Sequence, residues 1–187
     1  LARIAEGKAV LCDTYPDFRM TVDRIEPLIT SKTKAVLLNS PGNPTGAVLR
    51  ADEVEAVANL CKERGILLIT DEIYDEFIFP PTTHASPASF SEDVLIVRGY
   101  SKTHGCTGWR LGYAAGPERL IDEMLKLKQQ TFVCAPSALQ KAVVNAHDID
   151  LSPMLERFTS RRDMVVDLLG DVTELTVPDG SFFAFPR

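Results

Sequence analysis

Ile66-Leu67-Leu68-Ile69-Thr70 constrains the fold of this chain more than any other segment. Its first four residues are apolar, with no polar alternation, as in a strand covered on both faces within a parallel sheet. Just upstream, Val54, Val57, Ala58 and Cys61 fall at i, i+3, i+4 and i+7 and make one helical face, with Gly65 as a natural stop. Before them, Val36 to Asn39 is another short apolar run that ends in turn residues. Strand, helix and strand therefore follow one another, as a crossover between parallel strands requires. Val94 to Val97 reads as a further strand and Leu111 to Ala115 as one more, while Pro80 to Ser91 reads as a loop. Pro117 opens a helix containing Leu120, Met124 and Leu127; Pro136 and Pro153 sit near two more helix starts. The last helix is expected from Ser152 to Leu169, with Gly170 as its stop. The pattern predicts an α/β domain with a mainly parallel sheet, and 187 residues, 45% of them hydrophobic, can bury one sizeable core.

Composition narrows the function classes. A net charge of -6 without a basic run argues against a nucleic-acid surface. No apolar stretch is long enough to span a membrane. Leu1 to Val10 carries Arg3, Glu6 and Lys8 and does not read as a secretory leader. Cys12, Cys61, Cys106 and Cys134 show no C-x-x-C spacing and read as free thiols in a reducing cytoplasm. The three histidines are scattered, so no metal site is expected.

Chemistry concentrates in the run from Ser101 to Tyr113, where Lys102 lies in a loop of small residues and Arg110 follows between Gly108 and Gly112. A neutral lysine amine condenses with aldehydes, and the arginine fork binds phosphate. Pyridoxal 5′-phosphate carries both groups. Asn43, Asp71 and Lys102 each lie just past an expected strand, so they meet at one edge of the sheet, where open α/β folds bind ligands. Each residue also has a plainer reading. Lys102 could be a solvated lysine, Asp71 a helix cap, Asn43 a turn residue, Tyr74 a half-buried aromatic and Arg110 a salt-bridge partner. Trp109 reads as core, His84 and His104 as loop histidines, and Glu72 as either a support for the site or an exposed charge.

Four motifs in order, Asn43-Pro44-Thr45-Gly46, Asp71-Glu72-Ile73-Tyr74, Ser101-Lys102 and Gly108-Trp109-Arg110-Leu111-Gly112, resemble the class I and II aminotransferases, a fold-type I pyridoxal-phosphate family. The resemblance runs from about Gly7 to Gly180-Ser181-Phe182-Phe183. It implies a three-layer α/β/α large domain over residues 1–150, then an interdomain helix and the first strand of a small α+β domain over 151–187. It also implies amino-group transfer between an L-amino acid and a 2-oxo acid in a cytoplasmic homodimer, with aspartate and 2-oxoglutarate as one substrate pair. A lyase or synthase on the same scaffold, or a non-catalytic domain binding the cofactor as a regulatory ligand, shares these motifs. By resemblance, Lys102 bonds the cofactor and moves the proton, and Asp71 pairs with the pyridine nitrogen. Tyr74 and Asn43 donate to the phenolic oxygen, and Arg110 clamps the phosphate.

This chain departs from the family in two ways. Many relatives carry serine three residues before the lysine, where this chain has Gly99, and Ser101 does not take over that role. The T-G-W-R-x-G-Y run points to the aspartate aminotransferase-like branch, which has glycine there too. The resemblance also places this chain in the middle of the family's length. The upstream phosphate turn, the aromatic that stacks on the cofactor ring and the carboxylate-binding arginine all fall outside it, and Arg187 does not match that arginine's motif.

Overall fold

The computed structural model of the chain describes residues 2–187. Four strands, β1 (Ala35–Asn39), β2 (Leu67–Asp71), β3 (Val94–Gly99) and β4 (Gly112–Ala115), form one sheet in that order. The first three run parallel, with Leu37 opposite Ile69 and Ile69 opposite Leu95. β4 returns antiparallel, with Gly99 opposite Gly112. The link from Tyr100 to Leu111 holds only the single 3-10 turn Thr107–Trp109. Without a crossover helix the chain can only fold back beside β3.

The helices are α1 (Val22–Ile25), α2 (Ala51–Glu63), α3 (Glu118–Thr131), α4 (Ser137–Ala142) and α5 (Ser152–Leu169). α2 covers one face of the sheet. Its Val54, Val57, Ala58 and Cys61 are at most 1% exposed and pack with Leu38, Leu68, Val94 and Ile25. Burial pushes the Cys61 thiol up to about 11, which leaves it inert at neutral pH. Of the three expected layers, the sheet and the α2 layer pack together here. The opposite sheet face keeps Leu37 62% and Val97 38% exposed.

Local signals behave largely as the sequence predicts. Gly65 ends α2 with a left-handed φ of 62°, and Pro117 and Pro136 occupy the N-caps of α3 and α4. Gly170 differs. It caps α5 in right-handed conformation, so the helix stops there without a left-handed turn. Trp109 is 41% exposed and is not core; it closes the 3-10 turn Thr107–Trp109, none of whose residues is buried.

α5 anchors the C-terminal segment. Phe158 packs edge-on against Phe77 at 5.2 Å, and Arg162 Nη1 donates to the Pro178 carbonyl at 3.2 Å. The same segment is stitched to the Asn43 loop, since the Gly46 carbonyl accepts from Asp179 N and Gly180 N at 3.0 and 2.9 Å. Gly46 has φ 72°, and a Cβ there would lie 2.5 Å from Pro178 Cβ. Left-handed strain and overpacking add, so Gly46→Ala is expected to cost about 2–5 kcal/mol in urea unfolding. A loss under about 0.5 kcal/mol, the range of neutral surface changes, would mean that the close approach is not real.

Candidate active site

The three parallel strands end on one edge, and four of the five candidate residues follow from that. β1 ends at Asn39, whose side chain accepts from Asn43 N at 2.8 Å and donates to the Asp71 carbonyl at 3.1 Å. One asparagine thus ties the Asn43 loop to the end of β2. Asp71 is the last residue of β2 rather than the first beyond it, because its pairing continues to Val97. Its Oδ1 accepts from Ile73 N at 3.1 Å, which starts the turn leading to Tyr74.

Tyr74 is 1% exposed, and its hydroxyl accepts from Asn43 Nδ2 at 3.2 Å. The phenolic proton is left for a further acceptor. Lys102 Nζ lies 5.7 Å from the Tyr74 ring centroid and 5.6 Å from that of Phe182. It forms no ion pair among the described residues. The Lys102 amine therefore sits against two aromatic rings. Asn43 and Lys102 are each placed against Tyr74, and Asp71 is linked to them through Asn39 and the turn. Arg110 is exposed, donates through Nη1 to the Thr107 carbonyl at 3.0 Å, and makes no hydrogen bond to the other four. Its φ of 51° is left-handed, which is costly for a residue with a Cβ.

Phe182 and Phe183 complete the site from the chain's far end. Their rings lie 5.2 and 5.7 Å from that of Tyr74, both edge-on. No local pattern in the sequence marks them as site residues; the Phe77–Ser181 backbone bond and α5 bring them there. Glu72 is not an exposed charge. It is 0% exposed, on the α2 side of the sheet, and bonded to Arg98, Ser86 and His84. His84 and His104 are likewise held rather than free in loops, His104 by a 3.0 Å contact from Nε2 to the Ala146 carbonyl.

Packing also accounts for Gly99. A Cβ there would meet Ile73 Cδ1 at 3.0 Å and the Leu111 carbonyl at 3.2 Å, so a serine would push on the turn that carries Tyr74. Arg187 lies elsewhere, its guanidinium 4.9 Å from the Tyr15 ring. The cavity of about 260 Å³ lined by Tyr15, Phe18, Glu174, Phe185 and Arg187 contains none of the five candidate residues.

A lysine amine without an ion pair among the described residues, a carboxylate at a strand end and a buried phenol share one edge of the sheet. Comparison with known proteins gives the family. The profile of the aminotransferase class I and II family matches residues 1–187, and the chain belongs to that family. It is 37% identical to an aspartate aminotransferase of Pyrococcus abyssi, over 98% of this chain and 50% of the relative. It is 34% identical to aromatic-amino-acid aminotransferase 2 of Thermococcus litoralis, over 98% of this chain and 50% of that protein. The crystal structure of an aromatic aminotransferase from Pyrococcus horikoshii superposes with a TM-score of 0.95 at 35% identity, covering all of this chain and 53% of that one. The chain spans about half the length of the curated relatives it matches. Aminotransferases of this class use pyridoxal 5′-phosphate. Among the described residues no helix is long and apolar enough to cross a membrane.

Proposed function

We propose that this chain carries the cofactor site of a pyridoxal-phosphate-dependent aminotransferase, which moves an amino group between an L-amino acid and a 2-oxo acid. The observation that carries the reading is the Lys102 amine, held against Tyr74 and Phe182 without an acidic partner among the described residues. The residues present fit pyridoxal 5′-phosphate. Lys102 would hold its aldehyde carbon, Asp71 its ring nitrogen, Tyr74 and Asn43 its phenolic oxygen, and Arg110 its phosphate. When bound, the group supplies a ring that accepts the electron pair released at the substrate Cα. Asp71 keeps the ring nitrogen protonated, Tyr74 and Asn43 stabilise negative charge at the phenolic oxygen, and Lys102 takes the Cα proton as general base.

Relatives include an aspartate aminotransferase and an aromatic-amino-acid aminotransferase, and the T-G-W-R-x-G-Y run resembles the aspartate branch. Aspartate with 2-oxoglutarate is the first pair to test. The reading includes a homodimer, a cytoplasmic location suited to the four free thiols, and a domain division near residue 150, where α5 begins.

Incubating the full-length protein with ¹⁵N-labelled L-aspartate and 2-oxoglutarate, then repeating with labelled phenylalanine, tests the reaction. Label appearing in glutamate supports amino transfer. Label released as ammonia, or carbon–carbon cleavage of the donor, would assign a lyase instead.

Arg110 supplies a sharper test of cofactor holding. A guanidinium fork gives phosphate two parallel charge-assisted bonds that an ammonium cannot match. Arg110→Lys in the full-length protein is expected to lose cofactor on dialysis and to bind it about 10-fold or more weakly in titration of the cofactor-free protein, with excess cofactor restoring part of the activity. Equal dissociation constants for variant and wild type would remove the phosphate role.

A further inference from the structure

A part-buried cluster of charges, with Glu72 fully enclosed at its centre, takes no part in the chemistry above. Glu72 and Asp75 are the two ends of the turn that carries Tyr74, closed by a bond from Asp75 N to the Glu72 carbonyl at 3.1 Å. Arg98, on β3, reaches both ends. Its Nε and Nη2 lie 2.9 and 2.5 Å from Glu72 Oε2, and its Nη1 lies 3.1 Å from Asp75 Oδ2. Glu72 is fixed from the other side as well, its Oε1 accepting from Ser86 Oγ at 2.7 Å and its Oε2 lying 3.3 Å from His84 Nε2. A carboxylate only accepts, so Nε2 carries the histidine proton, and His84 Nδ1 is buried without a partner. Burial alone would push the Glu72 carboxyl up, but bonds from His84, Ser86 and Arg98 hold it below the usual range.

Arg98 also stands four residues before Lys102, on the strand that leads directly to it. One guanidinium therefore joins the turn that presents Tyr74 to the strand that presents Lys102. The backbone bond from Glu72 N to the Val97 carbonyl, 2.9 Å, ties the two strands together; beyond it the turn is closed by its own bonds, and Arg98 adds a side-chain link to it from β3. A buried ion pair contributes little net stability compared with an apolar pair of the same volume. The two-point guanidinium–carboxylate contact does constrain orientation.

We propose that Arg98, gripped by Glu72 and Asp75, is a positioning residue that sets the spacing of Tyr74 and Lys102. The proposal rests on the aminotransferase reading above. It is distinct from the roles given to Asn43, Asp71, Tyr74, Lys102 and Arg110, since the side-chain partners of Arg98 are Glu72 and Asp75.

The test reads the absorbance of the bound cofactor in the full-length protein loaded with pyridoxal phosphate, as a function of pH. Tyr74→Phe removes a hydrogen bond that favours the negative phenolic oxygen and should raise the midpoint of the spectral change by on the order of one pH unit. Arg98→Lys keeps the charge but loses the fork, and should raise the midpoint in the same direction. Combining it with Tyr74→Phe should add little, because both changes act through one hydrogen bond. Glu72→Gln, which keeps the side chain's shape, should behave like Arg98→Lys and carries the same test if that variant does not fold. An Arg98→Lys or Glu72→Gln protein that melts earlier with an unmoved midpoint, or a double variant whose shifts simply sum, overturns the proposal alone. A wild type that shows no bound-cofactor absorbance overturns the aminotransferase reading first, and the proposal with it.

Discussion

Replacing Lys102 with alanine in the full-length protein is expected to abolish amino transfer while leaving non-covalent binding of pyridoxal phosphate possible. In the proposed reading the same amine has two duties, bonding the cofactor and moving the Cα proton, so the loss should reach the upper range for a general acid–base group, on the order of 10⁴-fold. The fold should survive. Lys102 makes no ion pair among the described residues, and its Nζ contacts are two aromatic rings. Melting temperature and steady-state turnover, measured on the same preparation, separate the two effects. A stable variant that retains a tenth of wild-type turnover would show that another group does the proton transfer.

Asp71→Asn is expected to have the next largest effect. The amide keeps the shape of the side chain, and its oxygen can still accept from Ile73 N, so the turn to Tyr74 should hold. Only the charge proposed to keep the ring nitrogen protonated is lost. A charged partner shifts such a nitrogen by about 1–3 units, and each unit is a factor of ten in an equilibrium. Cα proton abstraction in single turnover should therefore fall about 10- to 1000-fold, with a smaller change in cofactor affinity. Near-normal proton abstraction in the variant would leave Asp71 with the turn-forming role alone.

How far the sequence reveals this site follows from the range of the interactions involved. The Ile66–Thr70 run and the α2 face are legible because burial on both faces of a parallel strand, and on one face of a helix, writes directly into local pattern. The shared edge of Asn43, Asp71 and Lys102 follows from those strands. The antiparallel return of β4 is less visible, since the Tyr100–Leu111 link shows only that no helix fits it. Phe182 is invisible to such reasoning, because 80 residues separate it from Lys102 and tertiary contacts alone bring the two together. Glu72 shows the same limit from another side. A glutamate beside an aspartate reads as either a support or an exposed charge until Arg98, Ser86 and His84 are known to surround it, and those partners lie 26, 14 and 12 residues away. Gly99 becomes intelligible only once Ile73 and Leu111 are seen to fill the space that a side chain would need.

Borohydride reduction of the full-length protein loaded with pyridoxal phosphate, followed by peptide mapping, tests the Lys102 assignment most directly. Reduction fixes whichever amine is bonded to the cofactor's aldehyde carbon. A single pyridoxyl adduct on the peptide containing Lys102 is the expected result. An adduct on another lysine, such as Lys62 in the last turn of α2, or no covalent adduct at all, would contradict it.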